Sequence, residues 1–181
     1  KNLVMDKRRA ALQQAKIMQK MALQDQRKEL NALLLEAMES YFSWQRSHQA
    51  LTVVETNYKK ATDRLAFVKK SVELGDRPAI DTLEALTQKQ SFENQLYAKI
   101  LEFNNARLAV SAFLWSAENN PVDLPEQVIP AQNNEAGLLA NFDLNLESLV
   151  EKATQNHPEI NAYRLKLDAL GIEKKLKFQS L

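Results

Sequence analysis

The chain has 181 residues, with 24 Lys or Arg against 23 Asp or Glu, a formal net charge of +1, and no cysteine. That near-neutral balance supplies no global field to draw nucleic acid or an anionic membrane, and the missing cysteines exclude disulfides, thiol catalysis and cysteine-ligated metals. Hydrophobic residues make up 45% and charged ones 26%, with only 3 Gly, 5 Pro and 7% aromatics, the composition of long amphipathic helices rather than of a loop-rich fold with a thick core.

Charge is less even locally. Residues 1–30 carry Lys1, Lys7, Arg8, Arg9, Lys16, Lys20, Arg27 and Lys28 against Asp6, Asp25 and Glu29, whereas residues 117–160 are acidic apart from Lys152. Both stretches read as solvated faces. No apolar run approaches the roughly 18 residues of a membrane-spanning helix, and Lys1 already falls inside a helical pattern, so the sequence reads as a piece excised from a longer chain.

The first element is expected to be one helix over residues 1–74. From Leu30 a stripe recurs at spacings of three and four: Leu30, Leu34, Ala37, Tyr41, Trp44, His48, Leu51, Val54, Tyr58, Ala61, Leu65, Val68 and Val72. This is a heptad-like seam with one short step, Leu51 to Val54, of the kind that overwinds a coiled coil. Before Leu30 the stripe thins to Ala11, Ala15, Met18 and Ala22, small or flexible residues that bury little area against one partner. A helix of that length spans about 110 Å at ~1.5 Å per residue, and a compact globule of this size has a radius of gyration near ~16 Å. The chain must therefore be a rod or part of a larger assembly.

The first glycine and the first proline come together in "SVELGDRPAIDTL", residues 71–83. Gly75 suits the left-handed position that ends helices, and Pro78 suits the first turn of the next. Asp81 and Glu84 match the D-x-x-E form of a capping box, with Asp76 as an alternative cap. Residues 75–79 are thus a tight turn that makes the flanking helices antiparallel. The return helix is expected over 80–116, apolar at both ends and polar through "TQKQ" (87–90) and "ENQ" (93–95), hence wet on more than one side.

Residues 117–144 hold Pro121, Pro125, Pro130 and Gly137 among Asn-rich runs and read as an irregular loop. Helix resumes near Asn145. "NHPEI" then interrupts it, with Pro158 at a helix start, Asn156 or His157 as cap, and Glu159 near the positive end of the helix dipole. The final element is helical despite Gly171.

No constellation for chemistry emerges, so no enzyme, catalytic residue, cofactor or metal site is assigned. His48 lies on the seam, where a packing role is the simplest reading, and His157 borders a helix cap. The glycines are isolated rather than arranged as a phosphate loop. Ser, His and Asp show no spacing that aligns them for nucleophilic catalysis. The "DKRR" stretch lacks the interleaved aromatics of a nucleic-acid surface.

The long helix, then "ELGDRPAIDTLEA" with G-x5-D-x3-A on Gly75, Asp81 and Ala85, then a shorter return helix, resembles the outer-membrane efflux protein family of TolC-type ducts. "NHPEI" at 156–160 followed by a helix is similar to the start of that family's second structural repeat. The resemblance implies an all-α fragment of a trimeric duct whose membrane β-strands lie outside this sequence. Residues 1–74 would descend to the periplasmic tip, 75–79 form the tip turn, and 80–116 climb back. Residues 117–144 would be an equatorial loop, and 145–181 would begin the second repeat.

It further implies a passive conduit, placed in the bacterial outer membrane with this part in the periplasm. It would export drugs, metals or other small molecules within a tripartite efflux or type I secretion system. Its partners would be a periplasmic adaptor protein and, through it, an inner-membrane transporter, with no nucleic acid. The expected docking surface is Leu74, Gly75, Asp76, Arg77, Pro78 and Ala79 with Asp81 and Thr82. The "DRP" at 76–78 is more polar and stiffer than in many relatives. Two rivals remain open: a scaffolding coiled coil, which explains the heptads but not "HPEI", and the adaptor itself, whose β-rich flanks are not found in 117–181.

Overall fold

A computed structural model describes residues 7–131 and 145–178; the expectations for 1–6, for 132–144 of the loop and for 179–181 lie outside the described residues. The fold is all-α. Among the described residues the helices are α1 (Lys7–Glu73), α2 (Ile80–Ser111), α3 (Leu146–Asn156) and α4 (Pro158–Phe178), and extended backbone pairs only in an isolated bridge between Trp115 and Pro121. The chain divides into two compact units, residues 36–133 and residues 1–35 with 134–181.

In the 36–133 unit, α1 and α2 form the antiparallel hairpin. Every seam position from Ala37 to Val72 is buried or half-buried. Two apolar clusters zip the arms together. Near the turn, Leu65 and Val68 meet Ala85, with Val72 and Leu86 beside them. Toward the open end, Trp44 packs on Phe103 and Val110, flanked by Tyr41, Leu51, Ala106 and Leu124. Burying one such aromatic side chain contributes about 1.5–3 kcal/mol. His48 stacks at a tilt on Phe103, 5.6 Å between ring centres, which is the packing role expected of it.

Between the clusters the polar middle of α2 meets polar partners on α1. The Tyr58 hydroxyl donates to Glu93 Oε1 at 3.3 Å, the Lys89 ammonium lies 5.5 Å over the Tyr58 ring, and Arg64 donates to Gln88 and pairs with Glu84 at 3.6 Å. Each pair straddles Gly75 at nearly equal sequence distance, which fixes the register of the hairpin. "TQKQ" and "ENQ" are therefore not simply wet faces, because side chains from both runs take part in bridges across the arms.

Two expectations need correction here. The return helix ends at Ser111 rather than Ser116. The apolar pattern continues through Phe113, but the N–H groups of Phe113 and Leu114 bond the carbonyls three residues back, on Val110 and Ser111, a tightened last turn from which the chain leaves the helix, while the Ser111 hydroxyl accepts the N–H of Leu124 at 3.0 Å. Beyond it, Ser116 organises a turn by accepting the N–H groups of Glu118 and Asn120, with Asn119 in the left-handed region at φ 60°. Second, the capping box on Asp81 and Glu84 does not form. Ala79, with helical φ −58° and ψ −27°, occupies the cap position and no side chain caps it, so Asp81 already lies inside the first turn. Pro78 sets the helical φ early, and its carbonyl accepts the N–H of Asp81 at 3.1 Å.

In the other unit, Asn145 caps α3 through its side-chain oxygen, which accepts from the N–H groups of Glu147 and Ser148 at 3.1 and 3.3 Å. His157, extended at φ −62° and ψ 121°, separates α3 from α4, and Pro158 opens α4 as expected. The α4 start rests on α1: Pro158 is buried, and Lys28 pairs with Glu159 at 2.8 Å. Seam residues Leu30 and Leu34 fall in this unit and are about half exposed.

Candidate functional site

The turn between α1 and α2 closes α1 with both hydrogen bonds of a Schellman motif. Gly75 N–H donates to the Val72 carbonyl at 3.0 Å and Asp76 N–H to the Ser71 carbonyl at 2.9 Å. Gly75 sits at φ 80°, where an L side chain is strained, although a Cβ built there meets nothing within 4 Å. Glycine is thus required by backbone conformation and not by crowding.

The turn is presented outward. Leu74 is 69% exposed, and Ile80 and Leu83, the first outward residues of α2, are also exposed. The carbonyls of Glu73 through Arg77 accept none of the turn's backbone hydrogen bonds, so this end of α1 offers acceptors beside apolar side chains. It also carries the negative end of the helix dipole.

Arg77 ties the turn to both arms. Its Nη1 lies 3.4 Å from Asp81 Oδ2 on α2, and its guanidinium carbon lies 5.8 Å over the Phe67 ring on α1. A cation over an exposed ring contributes about 0.5–1 kcal/mol, and the exposed ion pair adds little more. The value of the arrangement is stiffness: together with the fixed φ of Pro78, it limits the conformations of Asp76 and Arg77.

All eight residues expected at the docking surface lie in this turn or in the first helical turn after it. Thr82 and Asp81 are half-buried and the rest exposed. Phe67 was not singled out by the sequence. It falls off the seam between Leu65 and Val68, and an apolar residue out of phase next to a helix break is the signal that marks it.

Elsewhere, α1 and α4 line a small groove with Met21, Gln24, Lys28, Pro158, Glu159 and Tyr163. The Lys28 hydrogen bond, and then its charge, hold the Glu159 carboxyl below its ordinary value, and the same contact holds the Lys28 ammonium above its own. Among the described residues no three His, Asp or Glu side chains gather as metal ligands, and no helix is long and apolar enough to cross a membrane. Comparison with family models, curated proteins and solved structures finds no match for this chain.

Proposed function

We propose that this chain is the periplasmic helical wall of a TolC-type outer-membrane duct, a passive conduit for small molecules whose hairpin turn docks onto a periplasmic adaptor protein. The observation that carries the reading is a second apolar stripe on each arm of the hairpin. On α2, Tyr97, Leu101 and Leu108 recur at helical spacing and are all exposed. Leu101 lies two residues from buried Phe103, about 200° around the helix at ~100° per residue. On α1, Phe42, Val53 and Phe67 stand a whole number of turns apart, out of phase with the buried seam.

Helices apolar on two opposite sides need a neighbour on each side. A two-stranded scaffold would leave its outer faces polar, whereas a closed palisade of helices buries both stripes. That geometry favours the wall of an α-barrel over a filamentous coiled coil. A homotrimer of the full-length protein would supply the missing neighbours, and the outward turn with its free carbonyls would supply the contact for the adaptor and its inner-membrane transporter.

Reconstituting the full-length protein into planar bilayers tests the reading. A duct gives discrete, long-lived conductance steps. Trimers or larger assemblies that insert without conductance would contradict it in favour of a scaffold.

A further inference from the structure

Residues 112–131 lie against the open end of the hairpin; Phe113 and Leu114 still donate to the Val110 and Ser111 carbonyls, and beyond them the segment is tied to the helices by side chains rather than by a backbone ladder. Arg107 Nη1 donates to the Leu124 carbonyl at 2.6 Å, the Leu124 N–H donates to Ser111 Oγ at 3.0 Å, and Gln45 Nε2 donates to the Ala131 carbonyl at 2.9 Å. Phe113, Leu114 and Leu124 of the segment are half-buried and Pro130 is buried, while Trp115, Val122, Val128 and Ile129 face outward.

The face of the hairpin at this end is not fully satisfied. Trp44 and Arg107 are nine-tenths or more buried, yet the indole Nε1–H and the guanidinium Nε–H have no hydrogen-bond partner. Arg107 shares a face of α2 with Phe103 and Val110, the two residues that Trp44 packs against. Two buried donors without acceptors lose their hydration for no return, so the closed arrangement is stabilised by three hydrogen bonds and by the Leu124 side chain against the Trp44 cluster, and opposed by two desolvated groups.

We propose that residues 112–131 act as a strap that opens and closes as one unit on the Trp44–Phe103 end of the hairpin, independently of the zipper near the turn. Opening releases the Leu124 and Ala131 backbone and hydrates Trp44 and Arg107, while Leu65, Val68 and Ala85 stay packed. The hairpin's open end thereby has two states, one covered and one presenting an indole and a guanidinium. The inference rests on these bonds and on the two unpaired donors, and does not depend on the duct reading.

Native-state hydrogen exchange on the full-length protein tests it. The amides of Val122, Leu124 and Val128 should exchange together, at least on the order of a hundredfold faster than α2 amides flanking Phe103. Ser111→Ala, which removes one tie, should raise strap exchange on the order of tenfold and leave the α2 amides unchanged. In a background where Trp44 is the sole tryptophan, the same substitution should make its fluorescence more quenchable by acrylamide. Strap amides that exchange at the α2 rate, or a Ser111→Ala effect spread equally over strap and α2, would overturn the proposal.

Discussion

The indole of Trp44 lies 6.4 Å from the ring of Phe103, centre to centre, with the planes 24° apart. One residue belongs to α1 and the other to α2, so this pair pins the hairpin's register at the end away from the turn. Phe103 is only 8% exposed. Truncating it to alanine should lower the stability of the full-length protein by about 3 kcal/mol in urea melts, and a change under about 1 kcal/mol would show that the pair is not part of the core.

Leu101, two positions away, is 63% exposed in the single chain. In the isolated 181-residue chain Leu101→Ala should stay within about 0.5 kcal/mol of the parent. In the assembled protein the same change should cost about 2 kcal/mol or more, because a neighbour would then cover it. Equal, small effects in both contexts would mean that the second stripe has no partner.

The seam from Ala37 to Val72 was legible in the sequence because a single helix face, repeated over many turns, has no other way to bury its residues. What periodicity cannot give is the presence of a neighbour: Leu30 and Leu34 continue the same stripe and stay half exposed. Gly75 was legible for a different reason, since a positive φ at a helix end selects glycine whatever the tertiary structure. The capping box failed because Pro78 and Ala79 begin the helical turn before Asp81 is reached. The end of α2 failed because the chain tightens after Ser111 and enters a turn organised by the Ser116 hydroxyl, which an apolar pattern running through Phe113 does not reveal. The eight turn residues were legible from the helix breakers that gather there, whereas Phe67 was passed over because it lies off the seam, and its contact shows only when Arg77 is seen lying over its ring.

Asn145 caps α3 with two hydrogen bonds to its side chain. Asn145→Ala should remove about 1 kcal/mol of local helix stability, with Asn145→Asp and Asn145→Ser retaining most of it. Amide exchange at Glu147 and Ser148 reads the effect directly. No change in exchange there would show that the cap is not formed in solution.

The Lys28–Glu159 pair predicts a pH signature. Glu159 has a folded pKa below its unfolded value of about 4.3. Its contribution is therefore present above that value and is lost as pH falls through the folded pKa. Lys28, raised when folded, contributes below its unfolded value of about 10.4 and loses this as pH rises through the folded pKa. Lys28→Met should return the Glu159 carboxyl titration toward its ordinary range in NMR spectra. Both side chains are about half exposed, so concentrated salt should do part of the same. A Glu159 titration unmoved by Lys28→Met would remove the pair as the cause.

Gly75 is the residue on which the proposed docking turn depends most. An L residue at φ 80° costs about 1–2 kcal/mol, and a Cβ there meets nothing within 4 Å, so a side chain added at this position enters open space on the turn's outer surface. The decisive measurement is the accumulation of a fluorescent efflux substrate in cells carrying Gly75→Trp in the full-length protein, with trimer content of the outer membrane followed in parallel. With the turn as the docking point, trimer is normal and accumulation is as high as in cells lacking the protein. Normal trimer with accumulation as low as in the parent would contradict the turn as the docking point.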